Sequence, residues 1–145
     1  FKSVERAEDN IKEAEKIFTT KQINEFDVVF GIAASGNTPF TCKILELSKE
    51  VNALTIAVSN NPVGKLLDYG KIKLILNTEQ EVLAGSTRLK AGTAQKICLN
   101  VISTMVMTKL GFVKDGKMSN LIATNKKLVQ RKKMIDEENL KKNKV

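Results

Sequence analysis

Histidine and tryptophan are absent from these 145 residues, and cysteine, proline and tyrosine are nearly so, at two, two and one. Without histidine the chain lacks the commonest zinc ligand and the usual general base. The two cysteines, Cys42 and Cys98, form no CxxC or Cys/His spacing. Zinc-finger, iron-sulfur and histidine-based triad chemistry are therefore excluded, no metal or cofactor is expected, and acid-base work falls to carboxylates, Lys or Tyr. Long hydrophobic runs are missing too. The most apolar stretch, Ile97 to Leu110, is interrupted by Asn100, Ser103 and Lys109, and it falls short of the ~20 residues that span a bilayer. No membrane association is expected. No signal-peptide pattern opens the chain and the cysteines sit in apolar or helical settings, so a reducing cytoplasm is the default location. Phe1 in place of Met is the pattern of a processed or partial chain.

What is present describes one soluble globular domain, long enough to bury about two-thirds of its unfolded surface without disulfides. The net charge is +8, but the last twenty residues carry +5 of it, from eight Lys/Arg and three Asp/Glu between 126 and 145. The expected organisation is a domain over 1–125 followed by a basic C-terminal helix or tail over 126–145. Of 24 basic residues only Arg6, Arg88 and Arg131 are arginines. Guanidinium forks for phosphates and base edges are thus scarce, and no nucleic-acid partner is expected.

Val4, Ala7, Ile11, Ala14 and Phe18 recur at three- and four-residue steps, which predicts an amphipathic helix over about 3–18. Asp27 to Ile32 is a short apolar run, the pattern of a strand covered on both faces. A loop, Ala33-Ala-Ser-Gly-Asn-Thr38, leads to Pro39 at the first position of a helix reaching about Glu50, with Thr38 as N-cap. Ala53 to Val58 reads as a second buried strand, completing a βαβ unit. A short helix near Val63 to Tyr69, an edge strand at Lys71 to Leu76 and a long helix from about Thr87 to Leu110, closed by Gly111, come next. A turn at Lys114 to Lys117 precedes a last helix over roughly Thr124 to Leu140. Three parallel strands with helices make an α/β sheet smaller than doubly wound sheets normally are. Either an upstream segment completes it or a second copy packs against it.

Ligands of open α/β sheets bind beyond the carboxyl ends of the strands. Ser35 and Thr38 offer hydroxyls there, Gly36 permits close backbone approach and the helix start supplies amides, which suits a monoanionic ester such as a sugar phosphate. An ordinary capped turn accounts for the same residues. The stretch also nearly satisfies a P-loop, since Gly31 and Gly36 have the GxxxxG spacing and Thr38 sits at the Mg²⁺-binding hydroxyl. Asn37 stands where that loop needs lysine, which argues against an NTPase. At the start of the long helix, Gly85-Ser-Thr-Arg-Leu-Lys90 places Arg88 and Lys90 against the helix dipole. A phosphate, a substrate carboxylate or the nearby Glu79 and Glu81 could compensate them. Gln95 can either point back into the cleft or lie solvated. Glu5, Glu8 and Asp9 are what the dipole alone favours at a helix start, and composition does not choose among them.

Together these residues resemble the N-acetylmuramic acid 6-phosphate etherase family, which carries a sugar isomerase (SIS) fold. The matching pieces are Val4 to Asn10, Gly31 to Pro39, Ala53 to Ile56 with Asn61-Pro62, Glu81 to Lys96, Leu99-Asn100, Lys109 to Gly111 and Ala123 to Asn125. Gly85 to Lys96 is the most specific of them. The resemblance implies a parallel sheet flanked by helices in three α/β/α layers, here incomplete. It implies a carbon-oxygen lyase that hydrolyses the D-lactyl ether of N-acetylmuramic acid 6-phosphate to N-acetylglucosamine 6-phosphate and D-lactate, in the cytoplasm, without a metal and as a homodimer. One glutamate would remove the C2 proton, a role that falls on Glu8, and a second would assist departure of the ether oxygen. Ser35, Gly36, Asn37 and Thr38, with Ser86, Thr87, Arg88 and Lys90, would bind the phosphosugar. Arg6, Asn37 and Phe40 depart from the family's usual Gly, Arg and Tyr, and Ser119 to Ile122 replaces its usual Val-Asp-Val-Gln. The family's first strand, glycine-rich loop and acid glutamate would precede residue 1, and its small helical domain would follow Val145. The alternative is a regulatory SIS module that binds the phosphosugar without converting it, or an inactive fragment.

Overall fold

The three strands of the parallel sheet fall within one residue of their expected ends, the first two as short apolar runs and the third as an alternating edge segment. The structure, a computed structural model, describes residues 5–142. β1 (Val28–Ala33), β2 (Leu54–Ser59) and β3 (Ile72–Ile75) form a three-stranded parallel sheet in the order β1-β2-β3. Between them lie α2 (Pro39–Glu50), preceded by Thr38 at the N-cap, and a short 3₁₀ helix over Lys65–Tyr69. This is a small parallel α/β sheet of the kind the resemblance implies.

The chain divides into a first compact unit that runs to Ile97 and a second that starts at Cys98. In the first, α2 packs on β1, β2 and the 3₁₀ helix. Their core is small: Leu45, Leu66 and Ala57 are fully buried beside Ala33, Cys42 and Leu67. Thr55, buried beneath the Tyr69 turn, donates to the Tyr69 carbonyl at 2.8 Å and accepts from the Lys71 amide at 3.0 Å. A buried hydroxyl with both roles filled carries little of the desolvation cost that an unpaired one would.

Parallel register puts Val28, Phe30 and Ile32 on the same sheet face as Leu54, Ile56, Val58, Ile72 and Leu74. That face is entirely apolar, yet Val28 is 54% and Ile72 42% exposed. The expectation that β1 is covered on both faces is therefore met only on the side facing α2. An apolar run reports that a strand is built for burial, and Val28 and Phe30 remain exposed here.

The first helix also departs from expectation. Glu5–Asp9 is a 3₁₀ turn that packs against α2, and α1 begins only at Ile11 and continues to Lys21. The cause is Asn10, whose Oδ1 accepts from the Glu13 amide at 3.0 Å. A side chain that caps so well restarts the helix instead of riding within it. Val4 lies outside the described residues.

In the second unit the rest of α3 (Lys90–Lys109) ends at Gly111, whose φ is +80°. The Phe112 amide bonds back to Met107 and that of Gly111 to Thr108, a Schellman closure that needs a residue tolerant of the left-handed region. Asp115 and Gly116, both at positive φ, turn the hairpin of β4 (Val113–Lys114) and β5 (Lys117–Met118). Asn125 Oδ1 accepts from the Leu128 amide at 2.9 Å and so caps α4 (Lys126–Lys142). No helix among the described residues is long and apolar enough to cross a membrane.

Candidate phosphosugar site

The carboxyl ends of β1 and β2 open onto a cleft of about 380 Å³, whose lining includes Ala34, Asn60, Asn61, Thr78, Glu81, Gly85, Thr87 and Ala91. The turn from β1 into α2 adjoins it through Ala34, and Ser35 to Thr38 lie outside its lining. Gly36 makes that turn with φ +70°, and its backbone lies so close to Gly64 that a Cβ would come within 2.7 Å of the Gly64 Cα. Two glycines at one crossing let two backbones touch where side chains would hold them apart.

The turn is held from several directions. The Leu66 amide donates to the Gly36 carbonyl at 2.8 Å. Asn61 Nδ2 donates to the Ser35 carbonyl at 3.0 Å, and the Lys65 amide donates to Asn37 Oδ1 at 3.0 Å. Ser35 Oγ accepts from the Asn37 amide. Thr38, although at the N-cap of α2, makes no side-chain capping bond. Its hydroxyl is thus left for another acceptor or donor beside a helix start that favours anions. Cys42, one turn on, is buried, and desolvation pushes its thiol above the usual cysteine range. It is a packing residue and not a nucleophile.

Across the cleft, α3 begins at Lys90, three residues later than its periodicity predicts. The Glu81 carboxylate accounts for the delay, since it accepts from the amides of Lys90 at 3.0 Å and Ala91 at 2.9 Å. The Ala91 bond, with help from Lys90, holds the Glu81 carboxyl below the usual glutamate range. Of the three anions that could compensate this helix start, a carboxylate of the chain itself fills the place. Because the folded value is depressed, the contribution of Glu81 to stability is complete above the ordinary glutamate pKa and is lost as the pH falls through the folded one. Glu81→Gln should therefore lower the thermal midpoint at neutral pH. The gap to the unmodified chain should close in acid, as thermal melts between pH 7 and pH 3 would show.

Residues 9–105 match the family model described as the SIS domain. The chain belongs to the SIS domain family. It is 46% identical over 129 residues to an N-acetylmuramic acid 6-phosphate etherase of Staphylococcus saprophyticus, a match covering 89% of this chain and 44% of that protein. Etherases of the same description from Lactobacillus johnsonii and Bacillus cereus are 44% and 45% identical over 90% and 92% of the chain. The chain spans a little under half the length of these curated relatives, at 44–46% of each.

Within this SIS domain, Ser35, Gly36, Asn37 and Thr38 form one turn, and Thr87 lines the cleft next to it with Gly85. Ser86, Thr87 and Arg88 lie in the turn before α3 and not in its first helical turn. Arg88 and Lys90 are exposed, and neither is among the residues lining the cleft. Glu8 is exposed on the 3₁₀ turn that packs against α2, and it too is outside the lining. Asn60 and Asn61 are not among the site residues expected from the sequence, where Asn61 enters only with Pro62 as a piece of the family resemblance and Asn60 only as part of an Asn-Asn-Pro ending after a buried strand. Gln95 points back toward the cleft residue Asn60, with Nε2 donating to Asn60 Oδ1 at 2.8 Å. Among the described residues no group of His, Cys, Asp and Glu is placed to hold a metal ion.

Proposed function

We propose that this SIS domain binds a phosphorylated amino sugar, with the phosphate on the Ser35 to Thr38 turn and the ring in the adjoining cleft. The uncapped Thr38 hydroxyl at the start of α2 carries this reading. Ser35 Oγ and the unpaired amides of the first turn of α2 complete a donor set for phosphate oxygens. Thr87 extends it along the cleft wall. Asn37, which ties the turn to Lys65, supplies rigidity where the etherases usually place a charge.

The names of the relatives extend the proposal to N-acetylmuramic acid 6-phosphate and to removal of its lactyl ether. In that reaction a base takes the C2 proton, the C3–oxygen bond breaks to release D-lactate, and water adds at C3 of the unsaturated aldehyde. Glu8 is the proposed base, in a protein of the cytoplasm that works as a homodimer. The position of Glu8 outside the cleft lining favours a second reading, a module that holds the phosphosugar without converting it.

Incubation with N-acetylmuramic acid 6-phosphate in D₂O, followed by NMR, separates the two. Exchange of the C2 proton that Glu8→Gln abolishes would support the base, and lactate release would establish the etherase. Binding without either signal would leave the module. Ser35→Ala and Thr38→Val should each weaken the phosphosugar by about tenfold, the loss typical of a hydrogen bond to a charged group. Unchanged affinity in both would sink the assignment of the turn.

A further inference from the structure

Asn60 is the first residue after β2, and every polar group of its side chain is engaged. Its Oδ1 accepts from Gln95 Nε2 at 2.8 Å, and its Nδ2 donates to the Leu76 carbonyl at 2.9 Å and to Thr78 Oγ1 at 3.3 Å. Its backbone amide donates to the Ala34 carbonyl at 3.2 Å, one residue before Ser35. One half-buried residue therefore joins α3 and the exit of β3 through its side chain to the turn that follows β1 through its backbone. Those are the three segments that wall the cleft.

We infer that Asn60 is a positioning residue and that Gln95 is the latch which fixes it, so that α3 sets the geometry of the Ser35 to Thr38 turn. With every polar group of its side chain already engaged, Asn60 acts through Ala34, and its neighbour Asn61 acts on Ser35 directly. A primary amide suits the task because it donates twice and accepts at once, which neither Asp nor a hydrophobic residue does. Networks with all members satisfied are rigid, and removing one member loosens the rest. The functional meaning of the latch rests on the phosphosugar reading above, whereas the mechanical coupling does not.

The test uses the full chain and Gln95→Ala. Gln95 is on a helix, so alanine leaves the helix intact and removes only the link to Asn60. In the unliganded protein, the backbone amide signals of Ser35, Gly36 and Asn37 should shift in this variant, while those of Leu45 and Ala57 in the core stay in place. Titration with N-acetylglucosamine 6-phosphate should then show affinity reduced by about tenfold, the scale at which residues off the ligand act on a site. Asn60→Ala should move the same signals further. Turn signals that stay in place in Gln95→Ala would overturn the inference, as would moved signals with full affinity. If the unmodified chain does not bind the sugar phosphate, the proposed function fails, and the unliganded spectra still decide whether Gln95 and the turn are coupled.

Discussion

Gly36→Ala should cost about 2–5 kcal/mol, a left-handed penalty of about 1–2 added to an overpacking penalty of about 1–3. The first part follows from φ +70°, and the second from a methyl placed 2.6 Å from Ser59 Oγ and 2.7 Å from the Gly64 Cα. Neither obstacle yields cheaply. Gly64 is backbone, and Ser59 is fully buried with its hydroxyl donating to the Asn61 carbonyl and accepting from the Asn61 amide. The variant should therefore displace the Asn61 turn as well, and with it the bond from Asn61 to Ser35. Phosphosugar affinity should fall along with stability. Gly85→Ala is the matched control, because Gly85 has φ +80° but nothing within 4 Å of a Cβ. It should lose only the conformational part, about 1–2 kcal/mol. Urea denaturation of both variants separates strain from contact, and equal losses would mean that the Gly36–Gly64 approach contributes nothing.

The features legible in the sequence are those decided within a few residues. Pro39 after Thr38 marks the start of α2, Gly111 the end of α3, and Asp115-Gly116 the turn, though not the strands β4 and β5 that flank it, because each is a local demand on φ. The strands were legible for a related reason, as apolar runs too short for helices. The Ser35 to Thr38 turn was visible as a loop, although not as a turn pinned from Asn61 and Lys65. The misplaced features depend on partners distant in sequence. The start of α3 shifts because Glu81, nine residues before Lys90, takes two of its amides. Arg88 and Lys90 were expected to need an anion, and that carboxylate removes the need. The Asn60 hub joins residues 16 to 35 positions apart, beyond any periodic signal. The break at Asn10 was local but hidden, since the apolar steps of three and four run through it undisturbed.

An equally large loss of stability, about 2–5 kcal/mol, is expected from Leu45→Ala, and it can be partly repaired from the opposite side of the same contact. Leu45 is fully buried and bridges α2 to the sheet. On β1, Gly31 leaves room for it: a Cβ there would lie 2.6 Å from both Leu45 Cγ and Cδ1 and 3.1 Å from Leu66 Cδ1. Gly31→Ala alone should thus overpack the core, at a cost of about 1–3 kcal/mol. In the double variant the new methyl enters space vacated by Leu45, so the combined loss should fall short of the sum by at least about 1 kcal/mol. Additive losses would mean that the glycine serves some other end. The outcome bears on the site as well as the core, because α2 carries Thr38 at its N-cap and hangs from the sheet by this contact. A core this small, on a sheet whose other face keeps Val28 and Phe30 exposed, has little margin against a global stability of about 5–15 kcal/mol. Leu45→Ala should therefore also blunt phosphosugar binding. Gly31→Ala combined with it should restore part of the affinity in step with the recovered stability.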